Sequence, residues 1–546
     1  MTGEPRAFLA LDLGTATSSA ALVGRVDGRW RLLGSTAVPS DVPIEPAIAA
    51  LVAAIRTADP HLAGLVRLPV GAALADQSVL PRLVARTRPT AVLAVVAAST
   101  RQLGPLVALA DRAGWRARGL AAETSDPVEL TRLLLAPDVG AILVGAGERP
   151  AGAERRSLVA LSRLVASAAT RRPELDVVLS GASAAQAGLF ASGTAGPGSN
   201  PEAAPAGSAR GALLLGPALD AGEPAGEPLR ALLDQLRAGD GDARAAIARA
   251  TASLARVLDR RLETIEIGAT AGLRVVARPG LRSAVVASAA IVPDEVDEAV
   301  LDAIGYWSTT ALDRHRLRDR LRELRRVPWG DPAGEGALLR LAAARAAVGR
   351  LVASTPDLEP GASPDLVIAA GGAWAVCPGP VVGLALADLV RRPGISQYAF
   401  DHARLLAPIG MIAHEEERQD VLADLADDLL VPLGTIVIAG DVRAGRNPAG
   451  QMSVRAGLES GELDLVAGGL QLVDLPPGRE ATAELRFRDP VVIGARGRRF
   501  EAAVSGGLGG LLVDLRDVPL RLPERSDRRR QLLSAWQAAL WPGLER

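Results

Sequence analysis

The sequence predicts an α/β protein with a β-rich tail, and three observations predict it. Continuous apolar runs such as "TAVLAVVAA" (90–98) alternate with segments of helical spacing, which implies a mixed or parallel sheet covered by helices. A unit of strand, acid, glycine turn and strand occurs twice, in "ALDLGTATSSAAL" and "IEIGATAGLRVV". From about residue 430, short strand-like runs are separated by Gly and Pro, the pattern of a small all-β domain, a sandwich or a partly open barrel. With 546 residues the chain is too long for one core, and three or more domains are expected.

Residues 7–38 read as a hairpin with a third strand, in which "DGRW" carries the Asp-Gly turn signal. Residues 44–58 have helical spacing with a proline near the start. The buried run at 90–98 precedes a helix at 100–114, and strands at 138–148 and 174–184 flank a helix at 155–172. "FASGTAGPGSNPEAAPAGSARGA" (190–212) lacks apolar periodicity and reads as a flexible insert or linker. A helix at about 242–260 leads into the second acid-glycine turn; residues 293–354 are helical and charged. "DLVIAAGGAWAVCPGPVVGLALADLV" (365–390) gives a buried strand, a double glycine and a helix, and residues 525–541 form an amphipathic helix with Trp536 and Trp541.

Composition narrows the chemistry. The net charge is -1, so no field of one sign captures nucleic acid or an anionic membrane. All 61 basic residues are arginine, which excludes a lysine Schiff base and a GxxxxGK[ST] loop. Cys377 is the single cysteine, and the four histidines are scattered, so neither disulfides nor a zinc cluster is expected. No basic segment followed by a long apolar run marks a signal peptide, and no apolar stretch reaches the roughly 20 residues of a membrane span. A cytoplasmic protein without membrane insertion is expected.

The repeated turn favours phosphate. A tight turn between strands aims several backbone N–H groups at one point, and glycine permits close approach. In this reading Gly14, Thr15 and Thr17 contact phosphate, and Asp12 holds a hydrated magnesium ion. Gly371 and Gly372 leave room for a flat ligand where a strand turns into a helix.

That order of elements resembles the actin-like ATPase superfamily, and within it the chain is similar to the glutamate mutase L family. The resemblance is carried by "LALDLGTATSSAALV", by "PDVGAILVGAGERPAGAERRSLVALSRLVA" with "DVVLSGASAAQAG", by "DLVIAAGGAWAVCPGP" and by "ISQYAFDHARLLAPIGMIA", and it spans residues 7–415. It implies duplicated actin-like (ribonuclease H-like) domains: lobe I over 1–190, the linker over 191–212, lobe II with a helical insertion over 213–428, then the all-β domain over 429–524 and a terminal helix over 525–546. It also implies ATP or ADP with Mg2+ as cofactors and an adenosylcobalamin-dependent mutase subunit as partner. Asp12 and Glu266 would be the catalytic carboxylates, Gly268 and Thr270 would join the first turn on the phosphates, and Gly371 and Gly372 would hold adenosine. The second turn departs from the family's DIGGATTD: Glu266 stands for aspartate, a glycine is lost, and Ala271 and Gly272 replace polar residues. A carboxylate longer by one methylene shifts a metal-bound water by about an ångström, enough to cost roughly 100-fold in rate. Weakened or lost hydrolysis is therefore expected.

Other candidates have simpler readings. Cys377 reads as a buried apolar residue. Asp401 beside His402 reads as a helix cap, with a cleft-lining pair as the alternative. The Arg/Glu helix at 318–329 reads as a solvated face rather than a docking surface, and the terminal helix as packed on the β domain. "GERPAGAERR" (147–156) is a loop at the carboxyl end of a strand. Against the nucleotide-driven chaperone stand a non-catalytic scaffold of the same fold and a small-molecule kinase. The last needs a general base beside the second turn, and "ATAGLRVV" offers none.

Overall fold

The structure is a computed structural model that describes residues 6–87, 92–188, 212–217, 227–237, 242–280, 284–287, 291–293, 296–328, 330–331, 334–354, 363–375, 377–443, 448–457 and 459–540. The chain divides into two units: Met1–Thr87, Gly241–Val285 and Ala289–Arg546 form the first, and Arg88–Asp240 with Val286–Ser288 the second. The boundary expected at 190 falls inside the second unit. The linker expected over 191–212 lies outside the described residues except for residue 212.

The first unit opens with β1 (Ala7–Leu13), β2 (Thr17–Val26) and β3 (Arg29–Pro39), followed by α1 (Glu45–Ala58), α2 (Pro60–Leu65) and β4 (Arg82–Arg86). Asp27 and Gly28 both take positive φ, 50° and 82°, as the two-residue turn between β2 and β3 requires. The sheet order is β3-β2-β1-β4, with β1 antiparallel to β2 and parallel to β4. Leu9, Leu11, Ala20 and Leu22 pack on Ile48 and Val52 of α1.

The second unit is a parallel sheet of β5 (Val92–Ala97), β6 (Arg116–Ala121), β7 (Val139–Gly145), β8 (Asp176–Ser180) and β9 (Leu213–Gly216), ordered β6-β5-β7-β8-β9. Its helices α3 (Thr100–Arg112), α4 (Pro127–Leu134), α5 (Gly152–Arg171) and α6 (Glu227–Arg237) cover both faces. Leu130, Leu161 and Val165 seal one core; Leu106, Leu109, Leu229 and Leu233 seal the other. Sheltered on both sides, β5 is buried along its whole length, as its apolar run predicts.

The first unit resumes with α7 (Ala243–Leu258), β10 (Leu262–Ile267), β11 (Gly272–Ala277) and β12 (Ala284–Ala287). Helices α8 (Glu298–Trp307), α9 (Arg314–Arg326) and α10 (Glu335–Ser354) come next, then β13 (Leu366–Ala370), α11 (Gly379–Leu389) and β14 (Gly394–Phe400). On α9, Leu317, Leu321 and Leu324 are buried, while Arg318 and Arg320 pair with Glu298 and Glu323 at the surface. β10 lies antiparallel to β11 and parallel to β13, so it repeats the surroundings of β1.

After α12 (Leu406–Ile409), α13 (Glu415–Asp424) and α14 (Ala426–Leu429) come β15 (Val431–Ile438), β16 (Gly450–Ala456), β17 (Glu459–Leu465), β18 (Leu470–Val473), β19 (Glu480–Ile493), β20 (Ala495–Ser505) and β21 (Leu511–Asp514). These strands do not form the separate all-β domain expected over 429–524. β15, β21 and β18 extend an eight-stranded sheet, β12-β11-β10-β13-β14-β15-β21-β18, because β15 pairs antiparallel with β14. Only β17-β16-β19-β20 form a sheet of their own. That sheet packs on the extension: Met452, Leu485 and Phe487 share a core with Val437, Leu511 and Val513. The last helix, α15 (Ser526–Leu540), places Trp536 under the Arg516 guanidinium at 4.3 Å and Arg529 over Tyr306 of α8 at 4.6 Å. It packs on α8 and α11 rather than on the expected β domain, touching the segment after β21 through Arg516, while Trp541 lies outside the described residues. Among the described residues no helix is long and apolar enough to cross a membrane.

Candidate functional site

Both acid-glycine turns lie in the first unit and are built alike. The Gly14 N–H donates to the Thr17 carbonyl at 3.1 Å, and the Gly268 N–H to the Ala271 carbonyl at 2.8 Å. A Cβ on Gly14 would stand 2.6 Å from the Thr17 carbonyl oxygen, and one on Gly268 would stand 3.0 Å from that of Ala271. Glycine is therefore a steric requirement at Gly14, and at Gly268 a side chain would be a tight fit. Asp12 and Glu266 each precede their glycine by two residues, opposite Ser19 and Leu273 in the hairpin registers. The tips meet: Thr15 Oγ1 and Thr270 Oγ1 are 3.2 Å apart, within hydrogen-bond reach.

The glycine pair after β13 has two different surroundings. Gly371 has φ 92°, and a Cβ there would stand 2.5 Å from the Ile267 carbonyl oxygen, so this residue seats the turn against β10. A Cβ on Gly372 would face Arg404 Nη2 at 3.2 Å and Thr17 Oγ1 at 3.6 Å. The space expected for a flat ligand thus has the Arg404 side chain beside it.

Arg404 is the residue that sequence reasoning missed. Its backbone is left-handed, φ 54°, and Nη1 donates to Thr17 Oγ1 at 2.6 Å. Asp401 holds the loop by accepting the Leu405 and Leu406 N–H groups at 2.8 and 3.1 Å. Asp401 is not the N-cap residue of α12, which is Leu405; it braces the loop before that helix, and His402 stays exposed against the Phe400 ring. The following turn is pressed onto α7, where a Cβ on Gly410 would run into the Ala246 carbonyl. The available signal was compositional: in a chain without lysine, any fixed cation beside the turns has to be an arginine.

The charges form one system. Burial pushes the Asp12 carboxyl up to about 6, with Arg404 opposing. Burial pushes Glu266 up to about 8, against the pull of Arg244 and Arg404 and reinforced by Asp12. Asp401 rises to about 7 through burial, offset by its backbone hydrogen bonds and Arg404. Asp12 and Glu266 are partly exposed, whereas Asp401 is buried. Because each folded value lies above the unfolded one, their contribution to stability is complete below about pH 4 and is lost as pH rises through 6 to 8. Melting curves at pH 5, 6.5 and 8 should show Glu266→Gln gaining about 3 °C or more over wild type at pH 8 and little at pH 5. Parallel curves for the two proteins would contradict this account of Glu266.

The expected magnesium does not fit this arrangement. A fixed guanidinium, Arg404, already stands within electrostatic reach of Asp12, Glu266 and Asp401, where the metal's charge was expected. Away from the turns, Cys377 is half-buried, and desolvation pushes its thiol up to about 11. In the second unit Glu154, in the first turn of α5, accepts the Gln102 side-chain N–H at 2.7 Å, so the stretch expected as a loop over 147–156 is already helix from Gly152.

No protein-family model matches this chain, and no curated protein matches it. Among solved structures, the chain is similar to one from the PilM-PilN type IV pilus biogenesis complex at 13% identity, over 77% of this chain and 95% of that chain. The TM-score is 0.22, a likeness too loose to bear on fold detail or on function.

Proposed function

We propose that this chain is an actin-like nucleotide-binding protein whose phosphate turns are Gly14–Thr17 and Gly268–Ala271, with weakened or lost hydrolysis. The observation that carries the reading is the convergence of two like turns, with Thr15 Oγ1 and Thr270 Oγ1 3.2 Å apart. The repeated arrangement of β2-β1-β4 and β11-β10-β13 supports a duplicated domain behind them. With the hydroxyls in contact there is no gap between the tips, so a nucleotide parts the hairpins as it enters. That displacement is the motion a partner would feel. The finer reading, a reactivating factor for an adenosylcobalamin-dependent mutase, rests on the sequence resemblance over residues 7–415.

Titration with a fluorescent ATP analogue tests the proposal. Saturable binding is expected, weakened about tenfold or more in Thr15→Val/Thr270→Val with an unchanged melting temperature, since hydrogen bonds to charged groups are worth about 1.5–3 kcal/mol. A second reading, a scaffold of the same fold that binds no nucleotide, is favoured by the closed contact of Thr15 with Thr270. Absence of saturable binding at millimolar analogue selects it.

A further inference from the structure

A site built for nucleotide and magnesium needs positive charge between its carboxylates and the phosphates. Here that place is taken by a side chain. Arg404 gives one N–H to Thr17 and lies alongside the position of Gly372, within electrostatic reach of Asp12, Glu266 and Asp401 but without an ion pair to any of them within 4 Å. We propose that the Arg404 guanidinium is the resident cation of the paired-turn site, so that the site takes the phosphates of a nucleoside polyphosphate without a divalent metal.

The inference rests on the nucleotide reading above and adds which cation serves it. Arg404 holds a left-handed backbone, φ 54°, that a non-glycine residue keeps only when its surroundings impose it. The loop that carries it is tied down on both sides, by the Leu405 and Leu406 N–H groups donating to Asp401 and by the close approach of Gly410 to Ala246, and the side chain reaches Thr17. A guanidinium has five N–H donors in a planar fork that matches phosphate oxygens, so those not spent on Thr17 suit a terminal phosphate. A magnesium ion beside Asp12 would sit against this fixed positive charge, and the repulsion disfavours the metal.

The test uses the full chain and the methylanthraniloyl derivative of ATP, titrated in excess magnesium and in EDTA. Wild type is expected to give dissociation constants within about twofold of each other in the two buffers. Arg404→Ala should weaken binding about 30-fold in both buffers, and Arg404→Lys, which keeps the charge but not the fork, about tenfold. Melting curves confirm that each variant is folded. As a direct readout of metal, Mn2+ titrated by electron paramagnetic resonance should find no stoichiometric site in wild type that Asp12→Asn abolishes. Binding seen only with magnesium, or tightened by Arg404→Ala, overturns the proposal and leaves the nucleotide reading standing. No binding in either buffer overturns both.

Discussion

Replacing Asp514 with alanine should destabilise the first unit by about 3–5 kcal/mol, the usual cost of stranding a buried charge. Asp514 is fully buried at the end of β21, where Arg391 Nη2 and Arg516 Nε both donate to Oδ1 at 2.9 Å. The Arg516 backbone N–H reaches the same oxygen at 3.0 Å. Arg516 continues to Asp388 of α11 at 2.7 Å, and Asp388 to Arg345 of α10 at 3.0 Å. The side chains alternate in sign from sheet to helix, and removing one anion leaves two guanidinium groups facing each other in a dry interior. Burial works against the Asp514 charge, but hydrogen bonds from Arg391 and Arg516 outweigh it and hold the carboxyl at about 2. A lowered carboxyl value contributes stability that is full above the unfolded value near 4 and is lost as pH falls toward 2. Urea unfolding at pH 7 should show the loss for Asp514→Ala and a smaller one for Asp514→Asn, which keeps one acceptor. Above pH 4 the midpoints of all three proteins should run parallel as far as this residue is concerned. A loss under about 1 kcal/mol for Asp514→Ala would mean that water reaches the network.

Gly371→Ala and Gly372→Ala should behave oppositely although the residues are adjacent. At Gly371 a methyl would meet the Ile267 carbonyl oxygen at 2.5 Å with φ at 92°, so strain and overlap together should cost about 2–4 kcal/mol. At Gly372 the methyl meets only the end of the Arg404 side chain and the Thr17 hydroxyl, which can give way, so stability should change by about 0.5 kcal/mol or less. The effect of Gly372→Ala belongs in the nucleotide titration, because it pushes on the Arg404 fork. Chemical unfolding of both variants beside wild type decides the matter. Equal losses would show that Gly371 is not the point where the turn seats on β10.

What the sequence made legible was local. The first hairpin, its Asp-Gly turn and the acid-glycine turns are specified within a few residues by alternation and glycine. The buried runs at 92–97 and 366–370 are strands, short and bounded by turn residues as sheet-core strands are. What stayed hidden depends on partners far along the chain. Alternating strands and helices look the same whichever sheet they join, so 88–240 was not separable from a lobe ending at 190. β15 reads like any strand of a sandwich, and only its pairing with β14 puts it in the larger sheet. Arg404 stands beside Asp401 and His402 in sequence, yet its importance comes from Thr17, 387 residues away. The alternating network through Asp514 draws on α10, α11 and β21, and none of its members has a telling neighbour.

That separation of 387 residues is also an interval of time. A ribosome adds about 5–20 residues per second, so Thr17 and Asp12 are synthesised roughly 20–80 s before Arg404 exists. Through that interval the first hairpin has neither its arginine nor the second turn, and Asp12 is an ordinary hydrated aspartate. The parallel sheet at 88–240 has all of its strands and helices before α7 is made, so it can fold while the first unit waits. The buried acids and the guanidinium among them come into being together, after about three quarters of the chain has left the ribosome.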